Sequence, residues 1–398
     1  LVQSARHAGS LAIPLIKELT REVSAANPEH AIHVHWGSTS QDVIDTSMVL
    51  VTRDALALLE PGLERLIARL LVLAEQHLAT PVLARTLMQP AQVSSLGFKF
   101  AGWAAPLVRA RKQLHAIAQR ALQLQLGGAV GTLAVMGEQG AAVAHRVADD
   151  LGLVLPVAAW HTQRDEWVRL GLEVAVLVGS LGKIATDLSL MSQGEIAELA
   201  EPSGHGRGGS SAMPHKRNPV SSMIALAAAG RTPQRGAALL SNMTQEHERG
   251  LGNWQAELAE WPALFFSADG ALSALNEAMA DLHIDEARML RNIDSLRGLV
   301  FAEAVSAYMA SAIGRPQAHA LMEKLTRAAV AQDRMLADMV MDTVQAETHL
   351  REKLDPVVLR ALFDPIAAAT PATLLARRQL IELRAALSLQ STTSRDAS

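Results

Sequence analysis

Much of the chain repeats apolar residues at steps of three and four. Leu56, Leu59, Leu63, Leu66, Leu70 and Leu73 form a heptad seam within a helical pattern from Ser47 to His77. Pro61 should bend that helix. A second helical pattern covers Gln92 to Gln125 despite Gly97, Gly102 and Pro106, and GGAVGT (Gly127 to Thr132) breaks it. A shorter helix is expected over Gln139 to Leu151. Arg164 to Leu199 is apolar nearly all round, as a helix at the centre of a large assembly would be. Val220 to about Met243 and Leu258 to Ile293 continue the helical theme.

Outside this middle the elements are shorter. Residues 1–30 read as short helices, with Ile13-Pro14-Leu15 opening one and Asn27-Pro28 closing another. His33 and His35 alternate as on an extended segment. Beyond Gly298, helices are punctuated by Gly314, Pro316, Pro356, Pro365 and Pro371, and the final QSTTSRDAS is expected to fray. No strand pattern and no internal repeat stands out. The expected fold is all-α: a helical N-terminal part over residues 1–46, a central long-helix bundle over 47–297 and a helical C-terminal part over 298–398.

Composition narrows the function classes. The 398 residues carry a net charge of −4, with six Trp, six Phe and one Tyr, which suits neither general nucleic-acid affinity nor base stacking. There is no cysteine, so disulfides and thiolate metal sites are excluded, and a cytoplasmic location fits. Glu173, Lys183 and Asp187 interrupt the most apolar stretch, Leu170 to Met191, which speaks against a membrane span. No signal peptide is evident, and a start at Leu1 suggests that an N-terminal piece is absent. The histidines between His30 and His35 have neither an HExxH pattern nor Cys partners, so no metal site is expected. Gly204, Gly206 and Gly209 satisfy GxGxxG, but no strand precedes them, so no dinucleotide cofactor is expected. Neither a phosphate-binding GxxxxGK[ST] nor a GxSxG elbow accompanies Ser210 or Ser211.

The stretch with most chemistry is GHGRGGSSAMPHKRNP, Gly204 to Pro219. Asn218-Pro219 is a helix-start pair, so the glycines, hydroxyls and cations lie beside the positive end of a helix. From Pro202 to Gln245 there is no Asp or Glu, whereas Arg207, Lys216, Arg217, Arg231 and Arg235 are present. Such a loop suits a small anionic substrate. Thr39-Ser40-Gln41 allows two readings: a turn capped by Asp42 or Asp45, or a hydroxyl pair that grips a carboxylate.

GSSAMPHKRNP, Gly209 to Pro219, resembles the signature of the fumarase/aspartase superfamily. HVHWGSTSQDVIDT (His33 to Thr46) and RTLMQPAQVSSLG (Arg85 to Gly97) resemble its first two conserved regions, and GGAVGT, HTQRD (His161 to Asp165) and HER (His247 to Arg249) echo it more weakly. The resemblance implies a cofactor-free homotetramer whose active sites are each built from three subunits. It also implies Ser211 as the residue that moves the proton at the carbon alpha to a carboxylate. Lys216 and Asn218 would stabilise the resulting dianion, Thr39, Ser40 and Gln89 would bind carboxylates, and His35 would orient substrate. His161 is the alternative acid, and His215 a structural residue. Arg85, Arg164, Arg249 and Arg315 are further carboxylate ligands to consider, of which Arg249, in HER, is favoured.

One departure is informative. Where the superfamily's RTHGQ-type stretch carries the histidine that protonates a leaving amine or hydroxyl, this chain has Leu87. A carboxylate, with a pKa near 4, leaves without a proton. The expectation is therefore a leaving group that is itself a carboxylate or, in reverse, a carboxylate that closes a lactone. The wording HGRGGSSAMPHKRNPV also resembles the branch that lactonises the tricarboxylate 3-carboxy-cis,cis-muconate in protocatechuate breakdown. The competing expectations are an adenylosuccinate or argininosuccinate lyase, against which Leu87 speaks, and a non-catalytic helical scaffold, against which Ser211, Lys216 and Asn218 speak.

Overall fold

The computed structural model describes residues 1–203, 208, 209, 213 and 216–395. The chain opens with α1 (Val2–Ala8), α2 (Ala12–Ala26) and α3 (Pro28–Ala31). Asn27 ends α2, and its side-chain oxygen accepts the Glu29 N–H to start α3. The segment after α3 is not extended as the histidine alternation suggested. It is a run of turns in which His35 (φ 60°) and Gly37 (φ 70°) take left-handed backbone.

The long helix α4 (Ser40–Gln76) begins at Ser40 rather than Ser47. Thr39 is its cap: the Asp42 carboxylate reaches back to accept the Thr39 N–H at 2.9 Å. Along α4, Leu59, Leu63, Leu66, Leu70 and Leu73 are buried and Leu56 is half-buried, as the heptad seam requires. Pro61 lies inside the helix.

The absence of strands does not hold. β1 (Pro81–Thr86) and β2 (Gln89–Ser95) form an antiparallel hairpin with a bulge after Ala84, so helix does not begin at Gln92. β2, with Pro90 opposite Arg85, is largely polar and only partly exposed, so it lacks the alternation that marks a strand. The next helix, α5 (Leu96–Ala121), starts where the Ser95 hydroxyl accepts the Phe98 N–H. After α6 (Gly140–Leu151) comes α7 (Asp165–Met191), which stops short of Leu199. The polar Ser192-Gln193-Gly194 turn intervenes, and Leu199–Ala200 becomes β3. Then come α8 (Val220–Ser241) and α9 (Asn253–Ala280). The stretch expected as one helix to Ile293 divides at β4 (His283–Ile284), which pairs with β3. Asp285 caps α10 (Glu286–Asp294) by accepting the Arg288 N–H at 2.7 Å. The remainder is α11 (Ala302–Ile313), α12 (Arg315–Ala331), α13 (Leu336–Ala346), α14 (Thr348–Arg351), α15 (Pro356–Ala361) and α16 (Pro365–Arg395). α16 continues into the tail expected to fray.

The chain forms two compact units. The first comprises Leu1–Glu64, Arg109–Gly182 and Ile224–Ala274; the second comprises Arg65–Val108, Lys183–Met223 and Leu275–Ser398. The first is packed around aromatic residues. Trp167 stacks on Trp261 at 3.9 Å between ring centroids, with Trp160 and Phe265 flanking them. Gly171 lets α7 approach this stack, since a Cβ there would lie 2.8 Å from both Leu239 and Trp261. α7 is long and apolar enough to cross a membrane, but half of its most apolar stretch is buried within the protein. In the second unit, Val305, Met309, Met322, Leu336 and Val340 form one core. Leu83, Ile293 and Phe301 form a smaller one behind the hairpin.

Gly97 sets how closely α5 approaches the end of α4. A Cβ there would lie 2.4 Å from the Ala74 carbonyl oxygen and 2.8 Å from the Leu78 Cα. Both are backbone atoms that cannot move alone. Gly97→Ala should destabilise the protein by about 1–3 kcal/mol, measured by chemical denaturation at matched protein concentration.

Candidate active site

The site in the first unit is built outward from a buried cation. Arg164, one residue before α7, is 1% exposed in its side chain and lies between Asp45 of α4 and Glu257 of α9. Its Nη1 is 2.8 Å from Asp45 Oδ2, its Nη2 also pairs with Glu257, and its guanidinium covers the Trp160 ring at 4.4 Å. Burial alone would lower its proton affinity, but the two carboxylates hold it raised, so the charge persists. Asp45 also accepts the Trp254 indole N–H at 2.8 Å. One turn before Asp45 on the same helix face, Gln41 donates to Asp45 at 3.2 Å and to the His161 carbonyl at 3.0 Å.

Asp42 organises a second knot. It accepts the Gly127 and Gly128 N–H groups at 3.1 and 2.9 Å, and its Oδ1 is 2.7 Å from His161 Nε2. His161 is 3% exposed. Gly127 must lack a side chain, because a Cβ would lie 3.0 Å from the His161 ring and 2.9 Å from Gly131. Thr162, next to His161, donates to the His247 carbonyl at 3.1 Å and so holds the loop that carries Arg249. Arg249 then reaches Thr39 Oγ1 at 2.5 Å, Gln41 Oε1 at 3.3 Å and Ser40 Oγ at 3.5 Å. A half-buried guanidinium ringed by two hydroxyls can receive a carboxylate. His35 lies on the same segment, with Nδ1 2.7 Å from Ser38 Oγ. Burial pulls its imidazole below the ordinary histidine value, against the opposing pull of Asp42.

The second unit carries the other expected residues. Gln89 is exposed at the start of β2. The hairpin turn before it consists of Leu87 (φ 51°) and Met88 (φ 66°), which are 96% and 69% exposed. Two left-handed residues in succession make a type I′ turn, which ordinarily takes Asn or Gly. Asn218 N–H donates to the Gly208 carbonyl at 2.8 Å. Gly208 (φ 68°) has to be glycine there, since a Cβ would lie 2.9 Å from the Asn218 carbonyl oxygen. Lys216 is exposed. Ser211 and His215 lie outside the described residues.

The first turn of α8 differs from expectation. The carboxylate at its N-terminus is Glu201, which accepts the N–H groups of Ser221 and Ser222 at 2.8 Å each and the Ser222 hydroxyl at 2.7 Å. Glu201 lies one residue before the acid-free run that starts at Pro202. The positive end of α8 therefore already holds an anion.

A family model described as lyase matches residues 4–233. A 3-carboxy-cis,cis-muconate cycloisomerase from Bradyrhizobium diazoefficiens is 45% identical over 367 residues, 92% of this chain and 80% of that protein. One from Pseudomonas aeruginosa is 46% identical over 92% of this chain and 79% of its own. The chain belongs to this cycloisomerase family of lyases. The crystal structure of 3-carboxy-cis,cis-muconate lactonizing enzyme from Pseudomonas putida matches it with a TM-score of 0.90 at 39% identity, covering 97% of this chain and 85% of that one.

The family expected from the three sequence stretches is thus the family found, and with it the all-α fold. Within this cycloisomerase-family chain, the first unit brings His35, Thr39, Ser40, His161 and Arg249 close along the chain of contacts described above. Gln89, Lys216 and Asn218 belong to the second unit. Arg164 is paired with Asp45 and Glu257, and Arg85 forms two contacts of 2.9 and 3.2 Å with the fully buried Glu198 carboxylate. Arg315 is exposed at the start of α12, beside a groove of about 860 Å3. No local pattern marks Asp45, Glu257 and Glu201 as partners, because Arg164 lies 119 and 93 residues from the first two and the α8 terminus 20 residues from the third. Asp42 and Asp45 were visible only as possible caps, although Gln41 and Asp45, four apart, could have been read as one buried helix face.

Asp45→Ala should remove one of the two carboxylates that neutralise Arg164 and cost about 3–5 kcal/mol of stability, read by denaturant unfolding. His35 should give the fold a pH dependence. Its folded-state pKa is depressed, so the unfolded chain takes up the proton first as pH falls. Stability is full above the ordinary histidine value of about 6.5 and declines as pH drops below it towards the depressed one. The melting temperature should therefore fall more steeply from pH 7 to pH 5 in the parent than in His35→Gln, both figures being approximate bounds around that value.

Proposed function

We propose that this protein interconverts 3-carboxy-cis,cis-muconate and a carboxymuconolactone, in the breakdown of protocatechuate, as a cytoplasmic homotetramer with active sites shared between subunits. The observation that carries the reading is Leu87, an exposed aliphatic residue at the tip of a strained hairpin where a lyase of this superfamily would place its acid histidine. Chemistry in which an amine or hydroxide departs has no donor at that position. A carboxylate needs none. In the lactonising direction, a substrate carboxylate oxygen adds to a carbon–carbon double bond. The electron pair moves to the carbon alpha to another carboxylate, and a proton completes the product. One proton is taken up from solvent through the donor, and the ionised tricarboxylate becomes a lactone with two remaining carboxylates.

Ser211 delivers that proton in this reading. His161 is the alternative donor, but its burial and its contact with Asp42 favour Ser211 and make His161 a support for the Thr39 segment. Lys216 and Asn218 stabilise the dianion that precedes protonation. Arg249 with Thr39 and Ser40, and Gln89 on the hairpin, take the substrate carboxylates, and His35 orients the substrate. Because Glu201 already occupies the α8 terminus, the charge of a tricarboxylate falls to these side chains. The tetramer is supported by large apolar side chains left exposed on the long helices, including Leu58, Val176 and Phe266 at 79%, 58% and 77%. The division into residues 1–46, 47–297 and 298–398 belongs to the same reading, with the middle part as the assembling bundle.

The test is the conjugated-diene absorbance of 3-carboxy-cis,cis-muconate mixed with purified protein. Catalytic loss of the band is expected, with Ser211→Ala slower by a factor of about 100 or more. A Ser211→Ala protein as fast as the parent would remove Ser211 as donor. Turnover of adenylosuccinate in place of the muconate would remove the leaving-group argument.

A further inference from the structure

Gln41 is 2% exposed and has no part in the proton chemistry, yet each polar atom of its side chain is engaged. Its Nε2 gives its two hydrogens to Asp45 Oδ2 and the His161 carbonyl. Both partners are pure acceptors, so the amide cannot turn over, and Oε1 has to face Arg249 Nε, 3.3 Å away. Asp45 is itself immobilised by Arg164 and Trp254. The orientation therefore runs from the buried Arg164 pair, through one amide, to the half-buried Arg249 guanidinium.

We propose that Gln41 is the positioning residue for Arg249. It occupies Nε–H so that the two terminal nitrogens face outward. One hydrogen on each goes to Thr39 and Ser40, and the other two are left parallel for a substrate carboxylate. The position calls for an amide. A glutamate would put a carboxylate against Asp45 and the His161 carbonyl, and an aliphatic side chain of the same length would leave Arg249 Nε free to rotate away. The proposal rests on the reading of Arg249 as a substrate ligand and extends it to a residue that touches no substrate.

The experiment is steady-state kinetics on 3-carboxy-cis,cis-muconate with Gln41→Met, Arg249→Lys and the double variant. Gln41→Met should raise KM about tenfold and leave kcat within about twofold, the size expected for one hydrogen bond to a charged group. In the Arg249→Lys background, which has no Nε–H to orient, the same change should alter KM by less than about twofold. A parental KM in Gln41→Met overturns the proposal, and so do two substitutions whose effects multiply independently. An Arg249→Lys protein with the parental KM would instead remove the substrate-binding reading itself. Should Gln41→Met not fold, Gln41→Asn serves. Its amide, one methylene shorter, cannot span Asp45 and Arg249 together, and the same rise in KM is expected, with a parental KM again overturning the proposal.

Discussion

The buried Arg164 guanidinium is the constraint from which the first unit follows. A cation at 1% exposure is costly unless it is paired and hydrogen-bonded, and Asp45 and Glu257 meet that demand together. They come from the second turns of two different long helices, α4 and α9, and Arg164 precedes a third. One ion cluster thus fixes where α4, α7 and α9 begin relative to each other. Trp160 covers the guanidinium, and Trp254 fills a remaining lone pair of Asp45, so little of the charge is left unsatisfied. Directional contacts of this kind select one register among helices whose apolar seams would tolerate several.

That rigidity is passed outward in steps of decreasing burial. Asp45 and Asp42 are 1% and 3% exposed, Gln41 is 2% exposed, and Arg249 is half-buried at the surface. Asp42 gathers the α4 cap, the Gly127-Gly128 turn and His161, and Gln41 joins that knot to Arg249. A guanidinium held this way has little conformational freedom left to lose. The second unit uses a different device. Asn218 N–H donates to the Gly208 carbonyl, and Glu201 neutralises the N-terminus of α8.

The Leu87-Met88 turn joins fold and chemistry. Apolar residues with left-handed backbone and exposed side chains are disfavoured locally, and such strain is found where function maintains it. At this hairpin tip an acid would assist departure of a basic group. An aliphatic side chain offers shape without a proton.

The sequence by itself determined the helical class, the leucine seam of α4 and the family through Gly209 to Pro219. These are local signals, carried by periodicity or by short stretches of fixed wording. Only the tertiary structure decided that Pro81 to Ser95 is a hairpin, because the strands are short, β2 is largely polar, and Leu83 and Val93 gain their stability from packing with Ile293 and Phe301. It also decided that the Asp42 and Asp45 side chains face inward to bind residues 119 positions away, and that Glu201 reaches forward 20 residues to cap α8. A hydrogen bond depends on distance in space. When its partners are a hundred residues apart, no window along the chain contains both.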